Sequence, residues 1–298
     1  MTASRREFLL SAAAAPAAAA QPAPLPKVNF GGRHEITRLV LGTNPMMGYS
    51  HFNRILDQCM REWMTPERRI ETVLAAERAG ITAWQLHYQK ETIETLRAVR
   101  ERGSNICVFL LSDFELQNDF SMIPEVAKLG FLGMAHHGNR TDTAFREGKM
   151  DRVYEFVQRV RDTGLMAGVS AHNPAVVKWI EEKGWPVDYY MTCFYHVTRT
   201  PEQIRALLNG ERPLGEPFLE KDPERMTRVI RQTRRPCLAF KILGAGRAGG
   251  SREQVEAAFR FAFANIKPGD AVIVGMWPKF KDEIAENCDI VRRLHATW

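Results

Sequence analysis

Polar side chains of catalytic type follow short apolar runs at regular intervals along this 298-residue chain. Five of its eight histidines stand at the ends of such runs, and His51 lies in a long polar stretch after the first run. The polar residues at these ends are Asn44, Gln85, His87, Asp113, Glu115, His136, His137, His172, Asn173, Tyr195, His196, Lys241, Trp277 and Lys279. Imidazole, carboxylate and amine groups transfer protons and bind divalent metal ions.

Two kinds of site are expected from these residues. Several imidazoles in one cleft are costly unless they transfer protons or bind a metal, although a single histidine taken alone is more simply a packing residue. The expected catalytic set is Gln85, His136, His137, Tyr195 and Lys241. The alternative is a metal site, because nitrogen and oxygen ligands suit Zn²⁺, Mn²⁺ or Fe²⁺. Its candidate ligands are His87, Asp113, His136, His172 and His196.

Lys241 allows two interpretations. It either forms a salt bridge with Asp113 or Glu115, or it serves the chemistry of the site. In the second case, burial and a neighbouring imidazolium lower the pKa of its amine, which then acts as a base or forms a Schiff base.

The apolar runs alternate with amphipathic segments, which predicts strands and helices in strict succession. The predicted strands are residues 37–42, 83–87, 106–112, 131–136, 166–170, 189–194, 237–243 and 271–276. The predicted helices are residues 66–79, 91–101, 122–128, 149–163, 174–183, 223–232, 252–266 and 279–294. The strands are apolar on both faces, as in a parallel sheet covered by helices. Eight units predict a single-domain α/β protein, a closed (β/α)₈ TIM barrel.

Glycine and proline mark the boundaries of these elements. Thr65-Pro66 and Asp222-Pro223 each place a capping residue before a proline at the start of a helix. Five glycines follow a helix and precede a strand, where a left-handed C-cap is needed. They are Gly80, Gly103, Gly130, Gly164 and Gly184.

In a barrel of this kind the carboxyl ends of the strands meet at one mouth, so the polar residues above are expected to converge there. Two long segments, residues 46–64 and 197–221, follow the first and sixth predicted strands. Long loops in a compact domain are usually lids or binding loops. Both are therefore expected to cover the same face.

A glycine-rich segment, residues 243–251, follows the seventh predicted strand and opens a helix. Glycines leave backbone N–H groups accessible, and a helix N-terminus adds partial positive charge, so this segment favours a phosphate. Barrels frequently bind phosphate at the loops after the seventh and eighth strands.

The N-terminus carries the pattern S-R-R-x-F-L in residues 4–9, followed by an alanine-rich run. This pattern predicts a twin-arginine signal peptide over residues 1–20, export by the twin-arginine translocase, and a periplasmic or secreted protein. The alternative is a disordered N-terminus that contains two arginines. Residues 21–35 are predicted to form a proline-rich leader and residues 36–298 the barrel. Substrates of this route normally fold before export, which favours a cofactor loaded in the cytoplasm.

Composition argues against several other classes of protein. The formal net charge is +6, but the basic residues are scattered through predicted helices, which argues against nucleic-acid binding. No stretch after the N-terminus approaches ~20 apolar residues, so no membrane span is expected. The five cysteines are odd in number and lack C-x-x-C spacing, which argues against a disulfide framework or a structural zinc site. A small-molecule substrate is the expected partner.

Six short segments, in order along nearly the whole mature chain, resemble the aldo/keto reductase superfamily in a divergent form. They are residues 36–43, 79–82, 167–170, 240–246, 273–276 and 284–287. The resemblance implies an NADP(H)-dependent oxidoreductase that acts on a small carbonyl or sugar-like substrate. It also implies a set of cofactor-binding residues, Ser170, Gly244, Gly246, Arg247 and Lys279.

The sequence departs from the catalytic set of that family. Gln85 stands where the family has an aspartate, Tyr88 is too close to it to match the family's tyrosine, and the lysine is replaced by Ser112 or Asp113. The family's histidine is present as His136 or His137. Ala171 replaces the amide-binding asparagine, and Met191 or Thr192 replaces the glutamine of the sixth strand. Without the lysine to lower the pKa of the tyrosine, the usual proton donation to a carbonyl oxygen is lost.

Three hypotheses therefore stay open. The first is an exported oxidoreductase with an altered catalytic set. The second is a metal-dependent lyase, isomerase or hydrolase that acts on sugar-like substrates. The third is a non-catalytic binding protein built on a decayed reductase barrel.

Overall fold

Eight short parallel strands close into a barrel in the computed structural model, which describes residues 23–296. The barrel strands are β3 (Leu39–Gly42), β4 (Ala83–His87), β5 (Cys107–Leu111), β6 (Gly133–His136), β7 (Met166–Ala171), β8 (Tyr189–Cys193), β9 (Cys237–Phe240) and β10 (Ala271–Gly275). They lie side by side in chain order, and β10 pairs with β3 to close the ring. All eight predicted strands are confirmed, and the fold is the predicted (β/α)₈ barrel. The predicted signal peptide, residues 1–20, lies outside the described residues, so export stays a prediction.

Twelve α-helices surround the barrel in the described part of the chain. They are α1 (Arg54–Trp63), α2 (Pro66–Arg78), α3 (Lys90–Glu101), α4 (Glu115–Asn118), α5 (Ile123–Ala127), α6 (Gly138–Arg146), α7 (Asp151–Asp162), α8 (Pro174–Lys183), α9 (Pro201–Leu207), α10 (Asp222–Gln232), α11 (Arg252–Asn265) and α12 (Glu283–His295). The five glycines predicted to cap helices all have positive φ angles, between 64° and 99°. Among residues 23–296, no helix combines the length and apolar character needed to cross a bilayer.

The sequence did not predict the helices α1, α6 and α9, which lie at the mouth of the barrel. Helix α1 buries a single residue, Met60, and helix α9 buries only Ile204. Helices α1 and α9 therefore gain little stability from packing against the barrel. Side-chain caps stabilise these two helices, since Asn53 accepts from the Leu56 N–H and Thr200 forms a capping box with Gln203.

The predicted leader, residues 21–35, is not simply an extended segment. Strands β1 (Lys27–Phe30) and β2 (His34–Thr37) form an antiparallel hairpin. The hairpin packs the Phe30 ring edge-on against Phe109 and Tyr189, at centroid distances of 5.4 and 5.8 Å. Phe30 is fully buried, so the hairpin closes the end of the barrel opposite the mouth.

Side chains along each strand alternate between the barrel interior and the surrounding helices. Ala135, for example, belongs to the interior cluster, whereas its neighbour Met134 packs in the outer layer with the helices. A side chain at a strand end points to the same side as the residue two positions before it. This alternation therefore decides which polar residues face the mouth.

Phe30→Ala should lower the free energy of unfolding by about 3–5 kcal/mol, because it removes a buried ring and leaves a cavity at the closed end. Chemical denaturation followed by circular dichroism measures the change. Val28→Ala, which truncates a half-buried residue of the same hairpin, is the control and should cost clearly less. A loss below about 1 kcal/mol for Phe30→Ala would show that the hairpin does not close the barrel.

Candidate functional site

Three potential metal ligands meet at the mouth, above the neighbouring strands β4, β5 and β6. His87 is the last residue of β4, Asp113 follows β5 by two residues, and His137 directly follows β6. Ala135 and Leu111 point into the barrel, so His137 and Asp113, two residues further on, share that direction. Among the described residues this is the one group of three such side chains whose ligand atoms all lie within 4.8 Å of one another.

The three side chains are close but are not hydrogen-bonded to one another. His87 Nδ1 and His137 Nε2 each lie 3.8 Å from Asp113 Oδ2, which is too long for a hydrogen bond. His87 Nδ1 is buried and has no partner among the described residues. The side chains of His137 and Asp113 are 19% and 27% exposed, so the group opens to the mouth on one side.

A chain of hydrogen bonds fixes the proton on His87. Glu216 Oε1 lies 2.8 Å from His51 Nδ1, His51 Nε2 lies 3.0 Å from Asn44 Nδ2, and Asn44 Oδ1 lies 2.7 Å from His87 Nε2. An ionised carboxylate only accepts, so a neutral His51 donates from Nδ1 and accepts at Nε2. The Asn44 amide therefore donates to His51 and accepts from His87 Nε2–H. His87 Nδ1 is left with a lone pair that faces Asp113.

The ionisation states agree with this assignment. Burial lowers the pKa of His87 to about 3, assisted by the charge of His137. Burial likewise lowers the pKa of His51 and of His137. Burial alone would raise the pKa of Glu216, but the hydrogen bond from His51 outweighs it and holds that pKa below its usual value. At neutral pH the imidazoles are uncharged and Glu216 is ionised, which is the state that metal binding requires.

His136 was a predicted catalytic residue and metal ligand, but the structure places it behind β6. It points away from the mouth, because it lies two residues after Met134, whose side chain packs in the outer layer. Its ring packs edge-on against Phe120 and Phe156, and its Nδ1 lies 2.7 Å from Thr141 Oγ1. Burial lowers the pKa of His136 to about 3. Of the two adjacent histidines, only His137 faces the site.

His172 and His196, two further predicted ligands, do not join the group of three. His172 Nδ1 lies 3.0 Å from Asp142 Oδ2, and its ring packs edge-on against Phe240. His196 is half-buried in the loop after β8, where its backbone N–H donates to Asp222. The predicted metal set thus contributes His87 and Asp113 to the group, and His137 is its third member.

Lys241 lies at the mouth without an ionic partner. It directly follows β9 and has a φ of 58°, which breaks the alternation of the strand and turns the residue into the cleft beside it. No carboxylate of residues 23–296 forms a salt bridge with it, so the predicted pairing with Asp113 or Glu115 is wrong. Burial lowers the pKa of its amine.

A cleft of about 290 Å³ runs from the mouth toward the glycine-rich segment. Asn44, Gln85 and Lys241 line it on the barrel side, and Gly246 and Trp277 line it on the loop side. Gln85 Nε2 and Trp277 Nε1 are buried donors with no hydrogen-bond partner among the described residues. Together with the lysine amine, these donors match a ligand that is rich in acceptor oxygens.

The glycine-rich segment differs from the predicted phosphate site. Its backbone N–H groups bond within the segment, as from Gly244 to the Lys241 carbonyl and from Gly246 to the Leu243 carbonyl. The N–H groups of residues 247, 248 and 249 likewise bond to carbonyls of the segment, and that of Gly250 bonds to Gln254. Few donors therefore remain for a phosphate.

The other predicted cofactor residues also have local partners. The Arg247 guanidinium lies over the Phe218 and Phe52 rings, at 3.8 and 5.1 Å, and donates to the His51 carbonyl. Lys279 lies over the rings of Trp277 and Phe280. Ser170 is buried next to Gly138, and Tyr195, a predicted catalytic residue, packs its ring on Phe218. Of the predicted cofactor set, only Gly246 lines the cleft.

The loop after β8 is anchored by a buried carboxylate. Asp222 accepts from both terminal nitrogens of Arg199, one at 2.6 Å, and also from Arg225 and from the His196 N–H. The side chains of Asp222 and Arg199 are 2% and 6% exposed. Burial would raise the pKa of Asp222, but the hydrogen bond and charge of Arg199 outweigh it and hold that pKa below its usual value. This anchor positions the loop that carries Glu216.

Solved structures share the barrel but not a common chemistry. A mutant of Gox0644 in complex with NADPH matches with a TM-score of 0.56 and 14% identity, over 90% of this chain and 88% of that one. A truncated 3-deoxy-D-arabino-heptulosonate 7-phosphate synthase from Thermotoga maritima matches with 0.52 and 13%, over 92% of each chain. Dihydropteroate synthase from Thermus thermophilus, in complex with 6HMPPP, matches with 0.51 and 13%, over 92% of this chain and 100% of that one.

These matches establish the barrel fold alone, because the identities are low. No protein-family model matches the chain, and no curated protein sequence does either. The fold neighbours include synthases as well as a protein solved with NADPH, so the choice of chemistry rests on the side chains at the mouth.

Asp222→Ala should lower the free energy of unfolding at pH 7 by about 3–5 kcal/mol, because it leaves the buried Arg199 charge unpaired. The carboxyl has a depressed pKa in the folded state, so its contribution is present above its unfolded pKa of about 3.8 and is lost as pH falls through the folded value. The difference between wild type and variant should therefore persist down to about pH 4 and shrink as the pH falls further. Denaturation at several pH values measures it.

Arg225→Ala is the matched control, because Arg225 bonds to the same carboxylate but its side chain is 41% exposed. It should cost about 1 kcal/mol or less. Equal losses for the two variants would contradict the assignment of Asp222 and Arg199 as the anchor.

Proposed function

We propose that the chain is a metal-dependent lyase, isomerase or hydrolase that acts on a sugar-like substrate, with His87, Asp113 and His137 as the metal ligands. A single observation carries the proposal. Three ligand atoms converge at the mouth, are not bonded to one another, and include a buried imidazole nitrogen whose lone pair faces the group. A buried polar atom without a partner is costly, and a cation between the three side chains would remove that cost.

The spacing of the ligands fits a divalent ion. Ligand atoms about 2.1 Å from a tetrahedrally coordinated ion lie about 3.4 Å apart. The two separations of 3.8 Å from Asp113 Oδ2 exceed that value by a few tenths of an ångström, which small side-chain rotations remove. Asn44 Oδ1 accepts a hydrogen bond from His87 Nε2. A hydrogen bond of this kind orients an imidazole that binds a metal.

The cleft supports a polyhydroxylated substrate. Gln85, Trp277 and Lys241 offer donors that lack protein partners, and hydroxyl and carbonyl oxygens accept from such groups. When bound, a divalent ion supplies Lewis-acid polarisation of a substrate oxygen. The protein residues then bind and orient the substrate, and the partly buried mouth limits the access of water.

Purified protein should bind Mn²⁺, Zn²⁺ or Fe²⁺ at one site, as measured by calorimetry and elemental analysis after chelator treatment. His87→Gln, Asp113→Asn and His137→Gln should each lower the affinity by more than about 100-fold, since each removes a ligand. Asn44→Ala should lower it by about 10–100-fold, because it releases the His87 ring. Two histidines and one carboxylate also bind iron in oxygenases, so the affinities for the three metals should be compared.

His196→Gln is the matched control and should leave the affinity unchanged, since His196 lies outside the group of three. Protein that binds none of the three metals, or binding that survives all three ligand substitutions, would exclude this site. Circular dichroism confirms that each variant is folded before its affinity is interpreted.

An NADP(H)-dependent oxidoreductase on a small carbonyl or sugar-like substrate is the second candidate function. The observation that favours it is the cleft, which extends from Lys241 along the glycine-rich segment to Trp277. The fold neighbour solved with NADPH gives the same suggestion by analogy. The bonded N–H groups of residues 244 and 246–250 and the lack of a tyrosine–lysine pair weigh against this candidate.

If a nucleotide binds, NADPH fluorescence should titrate with a dissociation constant below about 1 mM. Lys241→Ala should weaken binding at least about tenfold, the equivalent of one charge-assisted hydrogen bond. Lys279→Ala should leave it unchanged, because that amine lies over Trp277 and Phe280 instead of in the cleft. No change in fluorescence up to the millimolar range removes this candidate.

A further inference from the structure

A second imidazole at the mouth is held by a buried carboxylate. His172 Nδ1 lies 3.0 Å from Asp142 Oδ2. The same carboxylate accepts from the backbone N–H groups of His172 and Asn173 and from Thr198 Oγ1, at 3.0, 3.3 and 2.8 Å. Burial would raise the pKa of Asp142, but the hydrogen bond and charge of His172 and the other donors hold it below its usual value. Asp142 is therefore ionised and acts only as an acceptor.

This arrangement fixes the proton of His172 on Nδ1. Nε2 then carries the lone pair. It has no hydrogen-bond partner among residues 23–296, and it is not one of the buried atoms sealed from solvent. A histidine with one nitrogen on a buried carboxylate and the other accessible to solvent has the arrangement of a general base.

The His172 ring lies beside the proposed metal ligands. A Cβ atom at Gly138 would lie 2.7 Å from His172 Cε1 and 3.1 Å from Nδ1, so the ring packs directly on that glycine. Gly138 is the neighbour of His137 in the chain. On its other side the ring contacts Phe240, at a centroid distance of 5.6 Å, and Phe240 lines the cleft. His172 thus lies between the three ligands and the cleft.

We propose that His172 is the general base of the site and that Asp142 is its positioning residue. The inference rests on the proposed function and narrows it to lyase or isomerase chemistry on a hydroxy-carbonyl compound. His172 Nε2 takes a proton from the carbon next to the carbonyl, and the electron pair of the C–H bond moves to the carbonyl oxygen. In an isomerase, the proton of the adjacent hydroxyl then passes to the enolate oxygen, the hydroxyl-bearing carbon becomes the carbonyl, and the imidazolium protonates the former carbonyl carbon. In a lyase, the enolate re-forms its carbonyl, its C=C pair shifts to the next carbon and breaks the C–O bond there, and the imidazolium protonates the leaving oxygen.

His172 is a base and not a fourth ligand in this assignment. Its ring nitrogens lie outside the group whose ligand atoms are within 4.8 Å of one another, and its Nδ1 is already occupied by Asp142. The titratable groups that interact with His172 are the carboxylates of Asp142 and Glu216 and the imidazoles of His51, His137 and His196.

Acetohydroxamic acid tests the base without knowledge of the substrate, because it gives up its N-hydroxyl proton when it chelates a metal ion. Calorimetry of its binding to Mn²⁺-loaded protein, in buffers of different ionisation enthalpy, counts the protons released. Wild type should release close to none, because His172 takes the proton. His172→Gln should release about one proton per site with Mn²⁺ affinity unchanged. Asp142→Asn should release an intermediate number, since the imidazolium loses its charged partner.

His34→Gln, on the hairpin at the closed end of the barrel, is the control and should behave as wild type. Equal proton release by wild type and His172→Gln, with Mn²⁺ binding intact, would overturn the base while leaving the metal site standing. A drop in Mn²⁺ affinity of tenfold or more in His172→Gln would make it a ligand and also overturn the base. Wild-type protein that binds none of Mn²⁺, Zn²⁺ and Fe²⁺ would overturn both proposals, and melting curves confirm folding in each case.

Discussion

The metal site proposed for this barrel depends on the direction of a few hydrogen bonds at its mouth. Glu216 is ionised and only accepts, so each step from it through His51 and Asn44 to His87 has a single allowed direction. The chain ends with an imidazole lone pair that faces Asp113. If the carboxylate at its far end were absent, the His51 and Asn44 groups could reverse, and His87 could present an N–H to the same space. A proton in that position would repel a cation.

This dependence links the site to the loops above it. Glu216 comes from the loop after β8 and His51 from the segment after β3. The proton of His87 is therefore fixed on Nε2 only when both segments lie over the mouth. Arg247 holds the two together, because its guanidinium lies between Phe52 of one and Phe218 of the other and donates to the His51 carbonyl. The buried pair of Asp222 and Arg199 anchors the second loop at its base. The loops are therefore part of the electrostatics of the site as well as its cover.

The fold could be predicted from the sequence because a barrel strand is apolar on both faces and is bounded by glycine caps and polar ends. The same alternation predicts the direction in which most side chains of the site point. Ala135 is small and interior, so His137 and not His136 continues toward the mouth. Lys241 does not follow this alternation because its φ is positive, and the sequence pattern does not predict that φ. Glu216 could not be predicted either, since its contact with His51 joins residues 165 positions apart through two irregular loops.

The resemblance to aldo/keto reductases and the departure from their catalytic set have one electrostatic explanation under the proposed function. The resemblance implies a lysine at the end of the third barrel strand, where its positive charge lowers the pKa of a tyrosine. Asp113 stands beside that position here, next to two neutral imidazoles, so a carboxylate stands where the family has a positive charge. A cationic acid–base pair cannot operate there, whereas a divalent cation is attracted to it. The same change gives a reason for the carboxylate-held imidazole across the mouth. A metal site polarises a carbonyl but removes no proton from carbon, and His172 is the accessible nitrogen placed to do so.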